Sequence, residues 1–240
     1  IFLARCPETG AAEAVRQYHL GGFVLFDRDF EGETPSSMAQ KIAGYQGVSD
    51  IPLLIAVDEE GGTVNRVSSH KAFRAYPFPS PRALYTKGGL ELVHNTEAEK
   101  AQLLSGLGIN VNLAPVCDIT TNPSAFMYRR SLGQSPAVTG EFVADSIQTM
   151  GRFGVAAVMK HFPGYGNNAD THTGIARDSR SLETLETEDM QPFFAGISAG
   201  GGAILVSHTI VEAIDPVCPA SLSQPMNYYL RLAMNFSGVI

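Results

Sequence analysis

Short apolar runs recur along this chain, each followed by one or two polar residues and then a longer segment of mixed character. The runs are residues 23–26 (FVLF), 53–57 (LLIAV), 110–113 (NVNL), 156–159 (AAVM) and 203–206 (AILV). Most are continuously apolar rather than alternating, which marks strands covered on both faces, as in parallel α/β sheets. Between them, residues 90–107, 138–153 and 182–199 mix polar and apolar residues at helical spacing, and glycines such as Gly106, Gly108 and Gly154 stand where such helices stop. Strand, helix, strand in repetition predicts a parallel sheet with crossover helices.

Two architectures satisfy that pattern. A doubly wound open sheet that binds a nucleotide carries a glycine-rich phosphate turn, and neither GxGxxG nor a Walker sequence is present. The polar residues instead cluster directly behind the apolar runs: Asp58 and Glu59, Asp118, Lys160 and His161, and His208. In a (β/α)8 TIM barrel the loops after the strands build the active site, so that fold is the expected one. With no internal repeat and no low-complexity linker, residues 1–240 are expected to be a single barrel domain. The chain opens inside an apolar segment and closes on F-S-G-V-I, which reads as the start of another strand. The barrel is therefore expected to be incomplete at both ends.

Composition narrows the partners. A formal net charge of −7 opposes a polyanion such as nucleic acid, whose phosphates need a surplus of Lys and Arg, and favours a small or neutral ligand. No run reaches the roughly 18 apolar residues of a membrane-spanning helix, and no signal peptide is visible. Cys6, Cys117 and Cys218 show no CxxC or Cys/His spacing, so they read as buried thiols rather than a zinc site or a disulfide framework.

The densest chemistry lies in K-H-F-P-G-Y-G-N-N-A-D-T-H, residues 160–172. Proline and glycine make this a non-helical loop after a strand, and it carries a cation, two imidazoles and a carboxylate. In Asp170–Thr171–His172 the carboxylate can fix one imidazole nitrogen and raise the basicity of the ring, leaving the other nitrogen for proton transfer. Metal ligation by His161, Asp170 and His172 competes with this, but no HxH or HExxH pair supports it. An acid/base pair is the preferred reading, with no metal and no cofactor expected.

Two further segments follow strands. In V-D-E-E-G-G-T-V-N-R, residues 57–66, Asp58 stands at the mouth of the expected barrel, where it can accept hydrogen bonds from paired ligand hydroxyls; the two glutamates by themselves read as a charged turn. In N-P-S-A-F-M-Y-R-R-S-L-G, residues 122–133, Arg130 offers a planar array of donors, its odds raised over a solvated arginine by its place behind NVNLAPVCD. His208 is a plausible cleft residue. His19, His70 and His94 receive no role.

Taken in order, G-G-F-V-L-F, I-P-L-L-I-A-V-D-E-E-G-G-T-V-N-R, N-L-A-P-V-C-D, R-S-L-G, K-H-F-P-G-Y-G, D-T-H and V-S-H-T-I-V-E-A-I-D-P resemble the family 3 glycoside hydrolases, specifically their N-acetyl-β-glucosaminidase branch. The resemblance implies a (β/α)8 barrel that removes terminal β-linked N-acetylhexosamine with retention, through a covalent glycosyl-enzyme. It gives Asp170 and His172 the roles of the acid/base dyad, the element that separates this branch from the β-glucosidases. It places Asp58, Arg66, Arg130, Lys160 and His161 around the sugar. It also implies a nucleophilic aspartate beyond Ile240, outside these 240 residues. Tyr165 stands where many relatives carry His. A β-glucosidase, an N-acetylglucosaminide phosphorylase and a non-catalytic sugar-binding relative remain alternatives. The physiological substrate, whether peptidoglycan fragments, chitooligosaccharides or glycan ends, and the cellular location stay open.

Overall fold

The computed structural model describes residues 2–168 and 174–240. Strands β1 (Leu3–Arg5), β2 (Gly22–Leu25), β3 (Leu54–Val57), β4 (Val111–Asn112), β5 (Ala156–Phe162) and β7 (Ala203–Val206) lie side by side in that order, every pairing parallel. They form an arc, a half-barrel. Val239 bridges to Ala203 in parallel, with Ile204 N–H donating to Val239 O at 2.9 Å, so the F-S-G-V-I segment takes the next place in the sheet. A short separate pair, β6 (Arg177–Asp178) and β8 (Ile210–Val211), is also parallel.

Alternate residues of each strand serve opposite faces, as the pleat requires. Phe23, Leu25, Ile55, Val57, Ala157, Met159 and Ile204 join the large core beneath the helices. Ala56, Val111 and Val158, with Val24, Leu54 and Leu205, form a smaller apolar cluster on the inner face of the arc. That double burial is why the runs carry few polar residues.

The helices α1 (Ala11–Tyr18), α2 (Pro35–Gln46), α3 (Pro81–Gly106) and α4 (Pro136–Arg152) connect successive strands. Three of them start with one device: Thr34, Ser80 and Ser135 each accept a hydrogen bond from a first-turn N–H, and a proline follows at the first helical position. Proline costs nothing there because that N–H has no helical partner. Beyond β6 come α5 (Leu182–Thr184), a π-helical turn (Leu185–Asp189) and α6 (Gln191–Ser198); α7 (Gln224–Tyr228) follows β8. No helix among the described residues is long and apolar enough to cross a membrane.

Two expectations need correction. Lys160 and His161 belong to β5 rather than to the loop behind it, because Val116 bridges to Lys160 and Cys117 N–H donates to Lys160 O at 2.7 Å, which carries the ladder past Met159. Of the three thiols, Cys6 and Cys117 are buried but Cys218 is partly exposed.

The core beneath β5 is closed by Phe193 of α6, fully buried and set edge-on to Phe162 at 5.1 Å between centroids. Phe193→Ala leaves a cavity under the strand that carries Lys160 and His161, and the expected cost is about 3–5 kcal/mol. Chemical denaturation measures it.

Candidate active site

The strands end on one side in a polar cleft of about 320 Å³, lined by Asp58, Glu60, Arg66, Arg130, Lys160, His161, Tyr165, Ser207 and His208 with Val64, Leu113, Leu205 and Val206. Ligand pockets start at roughly this size, near 300 Å³. The segments contributing these residues follow or end β3, β4, β5 and β7, which is where a barrel places its chemistry. A larger hollow of about 730 Å³ lies over the inner face of the arc, among Leu54, Val111, Val158, Ala203 and Val239. It has no titratable lining residue, so the cleft and not the hollow is the candidate site.

Glu60 is the hub. Its side chain is 1% exposed, and Lys160 Nζ lies 2.6 Å from Oε1. Arg130 donates to both of its oxygens, Nε to Oε2 at 2.9 Å and Nη2 to Oε1 at 2.6 Å. Burial alone would raise the Glu60 carboxyl, but Lys160 and Arg130 outweigh it and hold the group at about 2. Lys160 also donates to Asp58 Oδ1 at 2.6 Å. From behind, the buried Lys100 of α3 donates to the Glu60 carbonyl at 3.1 Å and to Glu97 Oε1 at 2.5 Å. Glu60 thus aligns the cations, while Asp58, side chain 21% exposed, faces the cleft.

The neighbouring carboxylates act as clamps on the backbone. Glu59, wholly buried, accepts from the N–H groups of Arg66, Val67 and Ser68 and from the Ser68 hydroxyl. That holds the segment bearing Arg66, which lines the cleft with its Nε buried and without a hydrogen-bond partner among the described residues. Asp118 binds His161 twice, through the backbone N–H at 3.2 Å and Nδ1 at 2.8 Å, and also accepts from Tyr165 N–H at 2.7 Å.

This fixes the state of His161. Nδ1–H donates to Asp118, and Nε2 accepts from Arg130 Nη2 at 3.2 Å, which requires the neutral ring. Burial lowers the ring's pKa below its ordinary 6.5, against the opposing pull of Asp118, and Lys160 and Arg130 lower it further. With both nitrogens committed, His161 is neither a proton shuttle nor an available metal ligand. Among the described residues no cluster of three or more His, Cys, Asp and Glu side chains could hold a metal ion.

All six expected ligand-contact residues, Asp58, Arg66, Arg130, Lys160, His161 and His208, line this one cleft. His208 is exposed at its rim, Nδ1 beside the Ser221 hydroxyl at 2.7 Å. Tyr165 packs edge-on to His161, centroids 5.2 Å apart, and also meets Phe126. Asp170 and His172 lie outside the described residues. The sequence reading missed Glu60, which it took as part of a charged turn, and left Asp118 without a function. The available signal was a pair of glutamates one residue beyond a wholly apolar strand, where burial obliges a charge to find partners.

Six parallel strands with helices on the outer face and a polar cleft over the strand ends define an α/β-barrel domain of the kind that houses enzymes. Within that class the sequence matches the glycosyl hydrolase family 3 N terminal domain over residues 4–240, and the chain belongs to that family. It is 34% identical over 226 residues to a beta-hexosaminidase of Xylella fastidiosa (strain M23), covering 92% of this chain and 66% of the relative. A beta-hexosaminidase of Xanthomonas axonopodis pv. citri (strain 306) is 35% identical over 228 residues with the same coverage. The chain therefore spans just under two thirds of these relatives. Among solved structures it resembles a glycoside hydrolase family 3 beta-N-acetylglucosaminidase from Paenibacillus sp. str. FPU-7, with a TM-score of 0.90, 29% identity, and coverage of 99% of this chain and 46% of that one. NagZ from Neisseria gonorrhoeae, in complex with N-trifluoroacetyl-D-glucosamine, gives a TM-score of 0.85 at 25% identity, with coverage of 99% and 71%.

The Glu60 assignment has a pH signature. Its folded pKa of about 2 lies below the ordinary 4.5, so its contribution to stability is complete above pH 4.5 and is lost as pH falls toward 2. Glu60→Gln should destabilise the protein at pH 7 by about 3–5 kcal/mol, since it leaves buried cations uncompensated. Unfolding free energies measured between pH 7 and pH 3 should show a shallower acid limb in the variant.

Proposed function

We propose that these 240 residues are the greater part of a single catalytic barrel domain of a retaining glycoside hydrolase that removes terminal β-linked N-acetylglucosamine or N-acetylhexosamine. The observation that carries this reading is the convergence of Asp58, Arg66, Arg130, Lys160, His161 and His208 on one cleft, in a chain whose family and similar relatives are glycosidases. Asp58, partly exposed beside Lys160, can accept from sugar hydroxyls, and Arg66 lines the same cleft. Arg130 and Lys160, already neutralised by Glu60, suit an uncharged ligand better than an anion.

Proton transfer is assigned to His172, with Asp170 orienting it, on the Asp-Thr-His motif and the family resemblance; His161, with both ring nitrogens committed, is not used for it. Protonated His172 gives its proton to the glycosidic oxygen as the anomeric C–O bond breaks, while the carboxylate of an aspartate beyond Ile240 bonds to the anomeric carbon. Neutral His172 then takes a proton from water as water displaces that carboxylate, and the sugar leaves with retained configuration. An imidazole suits both half-reactions, since its reference pKa is near 6.5. An oligosaccharide or small glycoside is the partner, and no cofactor is invoked.

His172→Ala in the full-length protein tests this. On disaccharides, whose leaving group is poor, turnover should fall roughly 10²- to 10⁴-fold, and much less on nitrophenyl N-acetylglucosaminide. Equal rates on the disaccharide for variant and wild type would refute the assignment. Assays of the matching glucoside, and of phosphate in place of water, separate this reading from a β-glucosidase and from a phosphorylase.

A further inference from the structure

Outside the cleft, one guanidinium joins three separate segments. Arg180 Nε donates to Asp178 Oδ1 and Oδ2 at 2.9 and 3.1 Å, and its Nη2 donates to Oδ2 at 2.6 Å. Its Nη1 donates to Asp189 Oδ2 at 2.5 Å, and Nη2 reaches the Gly164 carbonyl at 3.4 Å. Asp178 ends β6, Asp189 ends the π-helical turn before α6, and Gly164 lies in the turn after β5. Both carboxylates are almost fully buried.

This brace explains the two glycines in the segment H-F-P-G-Y-G. A methyl on Gly164 would sit 2.6 Å from Asp189 Cβ, and one on Gly166 would sit 2.6 Å from the Arg180 Cζ. Both glycines have positive φ, 125° and 54°, which other residues adopt only at a cost. The turn is bare of side chains there because the brace lies directly against it.

The arrangement is a poor way to gain stability. One cation holds two buried carboxylates, and Asp189 is left with Oδ1 unpartnered among the described residues. Burial raises Asp189 to about 6 in spite of Arg180, with Asp118 and Asp178 adding repulsion. Buried ion clusters of this kind are often no more stable than apolar packing, and fixing geometry is their best-attested use. Here the geometry fixed is that of the turn at Gly164 and Gly166 on one side and of Asp178 to Arg180 on the other, and Asp170 and His172 fall between them in sequence.

We propose that Arg180 is a positioning residue for the acid/base step: by bonding the Gly164 carbonyl to Asp178 and Asp189 and packing against Gly166, it fixes the residues on either side of the stretch that carries Asp170 and His172. This rests on the acid/base reading of His172 given above. Loss of the brace should therefore affect proton transfer more than sugar binding, which the separate Glu60 cluster organises.

The test uses Arg180→Lys, which keeps the charge but not the fork, and Gly166→Ala, which presses a methyl onto the guanidinium. His172→Ala is run in parallel, all in the full-length enzyme, with diacetylchitobiose and nitrophenyl N-acetylglucosaminide as substrates. Both brace variants should lose about tenfold or more in kcat on the disaccharide with KM nearly unchanged. Azide, which displaces the enzyme carboxylate from the anomeric carbon without needing deprotonation, should restore turnover of the aryl glycoside. Equal losses on both substrates with no response to azide would overturn the proposal, as would a lowered melting temperature with wild-type kinetics. If His172→Ala itself shows no dependence on leaving group, the acid/base reading has failed and the proposal falls with it; if only the brace variants lack that dependence, the proposal alone has failed.

Discussion

A carboxylate removed from water must be neutralised, and the way Glu60 meets that demand organises the cleft. Its two oxygens take Lys160 from β5 and Arg130 from the segment behind β4, so one buried charge ties together the ends of three neighbouring strands. Lys160 in turn aligns Asp58, and Arg130 sets the proton on His161 by donating to its Nε2. Without Glu60, two cations would repel across a small space. With it they become fixed donors whose positions no longer depend on a ligand, which is the preorganisation that binding and transition-state stabilisation both need.

The same electrostatics sets the state of His161. His161 spends both ring nitrogens on Asp118 and Arg130, and it is kept from protonation by burial and by the adjacent cations. A ring of that kind contributes shape and one fixed tautomer. A proton carrier must be able to change state near neutral pH, and among the motif's residues that leaves His172 as the group we propose for it. The two buried charge clusters are separate: Glu60 holds Lys160 and Arg130 in the cleft, and Arg180 holds Asp178 and Asp189 against the turn behind β5.

Family membership and the cleft agree on the class of chemistry while depending on different parts of the chain. The family match extends over nearly all of it, including helices that never meet the cleft. The cleft depends on a few residues behind β3, β4, β5 and β7, held by carboxylates whose hydrogen bonds run to backbone N–H groups, as Glu59 does for residues 66–68. Rigid strands carry the donors, and clamped loops present them.

Much of this was legible in the residues themselves. Apolar runs predicted five strands that the structure contains, because a strand buried on both faces tolerates few polar side chains. Ser-Pro and Thr-Pro pairs mark helix starts for a purely local reason, the missing N–H of proline. Asp58, Arg130, Lys160, His161 and His208 were legible as cleft residues because each follows or ends such a run, and Arg66 through the family resemblance. Other features were decided only in three dimensions. The extent of β5 through Lys160 and His161 depends on pairing with residues near position 116, more than 40 residues away in sequence. The role of Glu60 depends on partners 70 and 100 residues distant, and the two glycines behind β5 depend on Arg180 and Asp189. Local propensity and periodicity are written in neighbouring residues, whereas the balance between burying a charge and pairing it exists only once the chain has brought distant charges together.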